Sequence, residues 1–203
     1  LLDSGSGRTM LDLARIVAAS TSGPLVLGAS NPVRAFDLAV PALEGRVVHS
    51  NRGQAGIDGT IATAVGICLG SGYADEASAA SDERVTAVMG DLTACHDASS
   101  LALAASTGAH LDIVVADDHG GGIFATLEHG RATSPEAYDR WFGLAQSVDY
   151  EALAAAYGVA FARAGEPREL EDLLDRPVRG PRLIHAPVER TEDLYRAIRD
   201  VLS

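Results

Sequence analysis

Lysine is absent from this 203-residue chain, and all 16 of its Lys and Arg positions are arginine. Without a lysine amine, the chain can contain neither a Walker A phosphate loop nor a Schiff-base cofactor site. The same absence excludes a receiver domain that uses a lysine beside its acid pair. Positive charge is scarce as a whole, since the formal net charge is -12. We therefore expect no nucleic acid and no anionic membrane as a partner, because both would be repelled.

Cysteine is also scarce. Cys68 and Cys95 are the only two, and they show no C-x-x-C spacing, so we expect free, partly buried thiols rather than disulfides or a zinc site. No apolar run approaches the roughly 20 residues that span a bilayer. The first ten residues also lack the order of a signal peptide. These absences predict a cytoplasmic protein without membrane insertion.

Two kinds of apolar pattern alternate along the chain. Helical spacing occurs at 10–19, 33–43, 60–70, 150–158, 167–175 and 192–202. Short dense runs, typical of buried parallel strands, occur at 24–30, 85–91, 111–117, 159–164 and 182–188. The pattern predicts an α/β fold with a doubly wound, mostly parallel sheet of about six strands flanked by helices. We expect 1–23 to be a lead-in helix of the same domain that 24–203 forms.

Ligands of open α/β sheets bind at the carboxyl ends of strands, and polar residues follow several predicted strands here. Ser30 and Asn31 are either helix N-caps or ligand-binding groups, and Arg34 is either a solvated charge or an anion receptor. Arg52, in a glycine-rich segment after another short apolar run, either binds a carboxylate or forms a surface ion pair with Asp58. The segment 129–143 has no clean period and a length typical of lids or binding segments.

Asp91 and Asp118 follow two consecutive predicted strands with one helix between them, so we expect the two carboxylates to lie close together. Such a pair favours a divalent cation. The glycines at 120–122 would let backbone N–H groups approach an anion. The alternative is that Asp91 or Thr93 merely caps the following helix.

Three motifs carry a resemblance to a known family. GDLT at 90–93, followed 27 residues after Asp91 by Asp118 in DDHGGGIF, resembles the metal and diphosphate motif of thiamine-diphosphate enzymes. Within these enzymes, SNRGxxGIDG at 50–59, GDLTxxHD at 90–97 and GGGIF at 120–124 resemble the 2-succinyl-5-enolpyruvyl-6-hydroxy-3-cyclohexene-1-carboxylate synthases of menaquinone biosynthesis. The resemblance runs from Leu25 to the C-terminus and is weaker after Phe124.

The resemblance implies a diphosphate-binding domain, C-terminal in a chain of three, with the thiamine-diphosphate-binding fold. It implies that Asp91, Asp118 and the Gly120 carbonyl hold Mg²⁺, or Mn²⁺. The residues it places at the thiamine diphosphate are Ile57, Gly90, Asp91, Leu92, Thr93, Asp118, Gly120, Gly121, Gly122, Ile123 and Phe124. Those it places at the substrate are Ser30, Arg34, Arg52, Ile123, Phe124 and Leu127.

The implied reaction decarboxylates 2-oxoglutarate and adds the succinyl-semialdehyde unit to isochorismate, in a full enzyme that is a homodimer or homotetramer. The family's usual Asn-Asn or Asn-Asp pair is Asp117-Asp118 here, which predicts stricter metal dependence. The middle domain and the pyrimidine-binding domain, with its activating glutamate, are not in these residues. We therefore expect part of a longer protein that is inactive alone. The alternatives are another thiamine-diphosphate decarboxylase or synthase, and a non-catalytic metal-binding α/β module.

Overall fold

The computed structural model describes residues 8–54, 56–72, 84–176 and 178–190. Over these residues the chain forms one sheet of six parallel strands in the order β2-β1-β3-β4-β6-β5. The strand bounds are β1 Leu25–Leu27, β2 Val48–His49, β3 Val85–Gly90, β4 Leu111–Asp117, β5 Ala160–Arg163 and β6 Arg182–Pro187. The predicted α/β class and the strand number are both confirmed.

Helices connect the strands and cover both faces of the sheet. Their bounds are α1 Met10–Ser20, α2 Asn31–Ala39, α3 Thr60–Gly70, α4 Asp91–His96, α5 Ser100–Thr107, α6 Glu128–Ala132, α7 Pro135–Tyr138, α8 Tyr150–Tyr157 and α9 Pro167–Leu174. A 3-10 helix spans Gly122–Thr126, and a π-helical turn spans Asp139–Gly143. Apolar residues of α1, α2 and α9 pack on one face, and those of α3, α5 and α8 pack on the other.

The core follows the alternation of side chains along the central strands. In β4, Ile113 and Val115 enter the core under α3, α5 and α8, whereas Val114 and Ala116 enter the core under α1, α2 and α9. All seven residues of β4 are buried. A strand covered by helices on both faces explains why the sequence shows a continuous apolar run at 111–117 rather than a polar alternation.

The helix predicted at 33–43 differs in its bounds. Helix α2 begins at Asn31 and ends at Ala39. Pro41 explains the early end, because a proline disfavours helical backbone at the residue before it and cannot donate a backbone hydrogen bond. The segment predicted as one long connection at 129–143 contains α6, α7 and the π-helical turn. The helix predicted at 192–202 lies outside the described residues.

A buried ion network joins three strands at the amino edge of the sheet. Asp112 accepts hydrogen bonds from Arg84 Nε at 3.0 Å and from Arg182 Nε at 2.8 Å. Arg84 precedes β3, Asp112 lies in β4 and Arg182 begins β6. Both arginines are therefore paired with one carboxylate, and Nη2 of Arg182 has no hydrogen-bond partner among the described residues. Since β3 and β4 are parallel neighbours, the network also fixes the strands whose opposite ends carry Asp91 and Asp118.

Both cysteines are free, as expected. Within the described ranges, no helix has the length and apolar character needed to cross a membrane.

Candidate functional site

A cleft of about 350 Å³ lies at the carboxyl edge of the sheet. All the residues singled out from the sequence line it: Ser30, Arg34, Arg52, Ile57, Gly90, Asp91, Leu92, Thr93, Asp118, Gly120, Gly121, Gly122, Ile123, Phe124 and Leu127. They come from four separate segments, one after each of β1 to β4, that the parallel topology brings to one edge. The other lining residues are Met10, Ala29, Asn31, Pro32, Asn51, Gln54 and Gly56. Of these, the sequence indicates ligand binding, as an alternative to helix capping, for Asn31 alone.

Asp91 is the most buried acid of the cleft, with 2% of its surface exposed. Its Oδ1 accepts a hydrogen bond from the Leu92 N–H at 2.8 Å. Its Oδ2 is buried and has no partner among the described residues. Burial raises the pKa of Asp91 to about 6, and the negative charge of Asp118 adds to this, while the N–H groups of Leu92 and Gly120 offset part of it. Such a carboxylate oxygen needs a cation or a donor.

Asp118 follows β4 and faces the same cleft. Burial raises its pKa to about 6, against the opposing effects of the positive charge of Arg190 and a hydrogen bond from the Asn31 side chain. Arg190 also holds the local backbone, because its Nε donates to the Asp118 carbonyl at 2.9 Å and its Nη2 donates to the His119 carbonyl at 2.7 Å. Arg190 is not predictable from the sequence, since nothing local in its segment links it to the end of β4.

The neighbouring Asp117 has a different environment. Its Oδ2 lies 2.8 Å from His185 Nε2 on the adjacent strand β6, and its Oδ1 accepts the His119 N–H at 2.9 Å. Burial alone would raise the pKa of Asp117, but the hydrogen bonds from His185 and His119 outweigh it and hold the pKa below its ordinary value. Asp117 does not line the cleft. Both of its oxygens thus have partners within the protein, but its negative charge still raises the pKa values of Asp91 and Asp118, so stricter metal dependence stays a prediction.

The glycine run packs against the backbone of the π-helical turn. A Cβ at Gly120, whose φ is +121°, would lie 2.0 Å from the Gly143 carbonyl oxygen, and one at Gly121 would lie 2.1 Å from the Phe142 carbonyl oxygen. The Gly121 N–H donates to the Gly143 carbonyl at 2.6 Å, and the Gly122 N–H donates to the Gly120 carbonyl at 3.0 Å. In this structure, those two N–H groups are therefore not free for an anion. Close backbone packing is the first requirement that glycine meets here.

The aromatic residues of the segment at 129–143 support this packing. The Tyr138 hydroxyl donates to the Gly121 carbonyl at 3.1 Å, and its ring stacks on Phe142 at 6.1 Å between centroids. Phe142 in turn contacts Phe124, which lines the cleft, at 5.7 Å between centroids. These contacts pack the segment at 129–143 against the glycine run and support its backbone.

The two motifs that contain Arg52 and Asp91 are tied together by Asp97. Its Oδ2 accepts the N–H groups of Ile61 at 2.6 Å and Ala62 at 3.1 Å, in the first turn of α3. The residue that precedes α3, Gly59, has no side chain to cap the helix. Asp97 thus supplies the cap from another segment. This contact fixes the glycine-rich segment 50–59 beside the end of β3.

The sequence leaves helix capping open as an alternative for Ser30, Asn31, Asp91 and Thr93, and the structure shows no side-chain N-cap hydrogen bond at α2 or α4. Ser30 precedes α2 but makes no side-chain cap hydrogen bond, and its φ of 79° and ψ of -138° are unusual for a residue with a side chain. Gly90 precedes α4, and no side chain caps that helix. Asp91 and Thr93 lie inside α4. Asp91 Oδ1 accepts one N–H of the first turn, that of Leu92, whereas Asp91 Oδ2 does not take part in capping.

Arg34 and Arg52 bring positive charge to the cleft. Arg34 Nη1 donates to the Ser30 carbonyl at 2.6 Å. Within the part of the chain that the structure describes, neither arginine forms an ion pair, so the alternative pairing of Arg52 with Asp58 is not supported. Two unpaired guanidinium groups can receive a carboxylate or phosphate in bidentate geometry.

Residues 33–186 match the family described as thiamine pyrophosphate enzyme, C-terminal TPP binding domain, and the chain belongs to this family. Solved structures agree in fold: benzoylformate decarboxylase from Polynucleobacter necessarius has a TM-score of 0.71 at 18% identity, covering 89% of this chain and 33% of that one. A thiamine diphosphate-dependent 4-hydroxybenzoylformate decarboxylase from Rhodococcus jostii RHA1 has a TM-score of 0.70 at 18% identity, covering 94% and 34%.

The relatives with higher sequence identity, 39% and 42%, carry one and the same name. A 2-succinyl-5-enolpyruvyl-6-hydroxy-3-cyclohexene-1-carboxylate synthase from Renibacterium salmoninarum is 39% identical over 212 residues, covering 100% of this chain and 36% of the relative. The synthase of the same name from Mycobacterium tuberculosis H37Rv is 42% identical over 184 residues, covering 88% and 33%. The chain therefore spans about a third of the length of the curated relatives it matches.

Proposed function

We propose that the cleft binds the diphosphate of thiamine diphosphate through Mg²⁺, or Mn²⁺, held by Asp91, Asp118 and the Gly120 carbonyl. The observation that carries this proposal is the buried, unpartnered Oδ2 of Asp91, in a cleft shared with a second acid whose pKa is also raised. A divalent cation would relieve the repulsion and give Oδ2 a partner. No three His, Cys, Asp or Glu side chains of the described residues form a metal cluster, so backbone and ligand oxygens must complete the coordination.

The remaining walls fit the rest of the cofactor. The Gly120 carbonyl accepts the Gly122 N–H and keeps a second lone pair for the cation. Gly90, Leu92 and Thr93 border the cleft beside Asp91, where the diphosphate would lie. We assign the remaining contacts with the cofactor to Ile57, Gly121, Gly122, Ile123 and Phe124. When bound, thiamine diphosphate supplies the stabilisation of carbanions, and the protein supplies orientation and charge.

We further propose that the domain is part of a longer synthase that decarboxylates 2-oxoglutarate and adds the succinyl-semialdehyde unit to isochorismate. Ser30, Arg34 and Arg52 would bind the carboxylates of these substrates, consistent with the absence of ion pairs from both arginines over the described residues. Ile123, Phe124 and Leu127 would form an apolar wall of the reaction pocket. The activity in the name of the curated relatives supports the assignment. We place the full enzyme in the cytoplasm as a homodimer or homotetramer.

We expect no catalysis by this chain alone. The only acids among the described residues that line the cleft are Asp91 and Asp118, and both are assigned to the cation. No further acid in the lining can exchange a proton with the aminopyrimidine ring of the cofactor. Measurable decarboxylation of 2-oxoglutarate by the purified 203-residue chain, with Mg²⁺ and thiamine diphosphate present, would refute this expectation.

Calorimetric titration of the chain with thiamine diphosphate, with and without Mg²⁺, tests the cofactor assignment. Binding should require Mg²⁺, and thiamine without its diphosphate should not show the same requirement. Asp118→Ala should abolish the coupled binding. Unchanged binding by this variant would exclude Asp118 as a ligand. Strong Mg²⁺ binding without any diphosphate would instead favour a metal-sensing module.

A further inference from the structure

Asn31 lies in the wall of the cleft and contacts one of the proposed metal ligands. It is the first residue of α2 and is 8% exposed. Its Nδ2 and the Oδ2 of Asp118 both lie beside the position that a Cβ would take on Gly122, and its side chain lowers the pKa of Asp118 by hydrogen bonding. A carboxylate accepts hydrogen bonds, so the NH₂ group of the amide must face Asp118. The amide oxygen, Oδ1, is then directed elsewhere.

That oxygen is buried and has no hydrogen-bond partner among the described residues. A buried carbonyl oxygen without a donor is unfavourable, and such atoms in folded proteins call for a ligand, an ion or an ordered water. Helix capping does not account for it, because the residue before α2 is Ser30 and no side chain caps this helix. The unpartnered oxygen lies on the same cleft as the unpartnered Oδ2 of Asp91.

We propose that Asn31 is a positioning residue of the metal–diphosphate site. Its Nδ2 fixes the Asp118 carboxylate, and its Oδ1 accepts a hydrogen bond from a water molecule bound to the divalent cation. The inference rests on the proposed cofactor function and adds a residue that has no role there. Mg²⁺ gives up its waters reluctantly and usually keeps several. Each of these waters needs acceptors for its O–H groups, and groups that orient ligands in this way strengthen metal binding.

An amide meets both requirements, because it has a donor and an acceptor on one planar group. Asn31→Leu has a similar size but can neither donate to Asp118 nor accept from a water. Asn31→Asp keeps an acceptor but replaces the donor with a negative charge beside Asp118. Asn51 provides a matched control, because it lines the same cleft but its Nδ2 donates to Thr63 Oγ1 at 3.0 Å and to the Gly59 carbonyl at 3.5 Å.

The test measures, in the 203-residue chain, the Mg²⁺ concentration that half-saturates binding of thiamine diphosphate, together with the melting temperature without metal. Asn31→Leu should raise this Mg²⁺ concentration about 10-fold, since a hydrogen bond to a charged group is lost, without lowering the metal-free melting temperature. Asn31→Asp should raise it at least as much. Asn51→Leu should lower the melting temperature and leave the Mg²⁺ requirement unchanged.

Water proton relaxation with Mn²⁺ and thiamine diphosphate gives a second readout. The unaltered chain should show slow exchange of a cation-bound water that becomes faster in Asn31→Leu, which a purely structural role would not produce. An unchanged Mg²⁺ requirement and unchanged water exchange in Asn31→Leu would overturn this inference while leaving the proposed function intact. Absence of Mg²⁺-dependent binding in the unaltered chain would overturn both.

Discussion

Replacing Asp91 with asparagine should make the metal-free protein more stable at neutral pH. The pKa of Asp91 is raised from 3.8 to about 6, and each pKa unit corresponds to 1.36 kcal/mol, so ionised Asp91 destabilises the fold by roughly 3 kcal/mol at most. Asparagine removes the charge and keeps an oxygen that can accept the Leu92 N–H. We expect Asp91→Asn to gain about 1–3 kcal/mol at pH 7.5 without metal, or roughly 2–4 °C in melting temperature per kcal/mol.

The sign of the pH dependence follows from the direction of the shift. The folded-state pKa of Asp91 lies above its unfolded value, so the folded state binds the proton more tightly. The resulting stability is fully present below about pH 4 and is lost as the pH rises through about 6. The advantage of Asp91→Asn should therefore be largest above pH 7 and fall to about half at pH 5. Denaturant unfolding at both pH values measures it.

The same variant should lose Mg²⁺-dependent binding of thiamine diphosphate, because a proposed carboxylate ligand is gone. Asp97→Asn is the matched control: Asp97 is also buried but accepts two backbone N–H groups, so removing its charge should destabilise the protein by about 1 kcal/mol. If Asp91→Asn is no more stable than the unaltered chain at pH 7.5, or if its advantage does not decrease towards pH 5, the assignment of Asp91 as a buried acid with an unpartnered Oδ2 is refuted.

Three further substitutions test the surroundings of the cleft. Asp97→Ala should destabilise the protein by about 2 kcal/mol in denaturant unfolding, because two N–H groups of α3 lose their acceptor, whereas Ser100→Ala removes only one hydrogen bond to Asp97. Gly120→Ala should cost more than about 2 kcal/mol and weaken cofactor binding, because its Cβ would clash with a backbone carbonyl; Gly180→Ala, also at positive φ but in open space, should cost about 1 kcal/mol. Tyr138→Phe should cost about 1 kcal/mol and weaken Mg²⁺-dependent binding, and equal binding would contradict a bracing role for its hydroxyl.

The fold and the membership of the cleft could be predicted from the sequence because both depend on strand ends. Dense apolar runs identify strands covered on both faces, as in β4, and the residues that follow parallel strands must meet at one edge. The bounds of α2 were less predictable. Apolar spacing continues past Ala39, and the helix ends because of the local effect of Pro41.

The partners of individual polar atoms could not be predicted, because they come from distant segments. Asp97 caps α3 across 36 residues of sequence, and Arg190 holds the backbone of Asp118 from 72 residues away. The glycine run is a second example of a contact that the sequence does not identify. Three glycines indicate close approach by some group, but only the structure identifies the backbone of Phe142 and Gly143 as that group.

The two acidic motifs, GDLTxxHD at 90–97 and DDHGGGIF at 117–124, distribute hydrogen-bond partners among their acids in the same way. This distribution decides where a cation would bind. Each motif holds two acids, and in each the structure gives partners to both oxygens of one of them. Asp97 accepts two backbone N–H groups of α3 on Oδ2 and the Ser100 hydroxyl on Oδ1, and Asp117 accepts the His119 N–H on Oδ1 and has His185 Nε2 beside Oδ2. The pKa values of the remaining two, Asp91 and Asp118, are raised to about 6 by burial. A cation gains most where ionised oxygens have the fewest protein partners. The unfavourable burial of these two carboxylates in the metal-free protein is therefore the source of the affinity for metal that we expect.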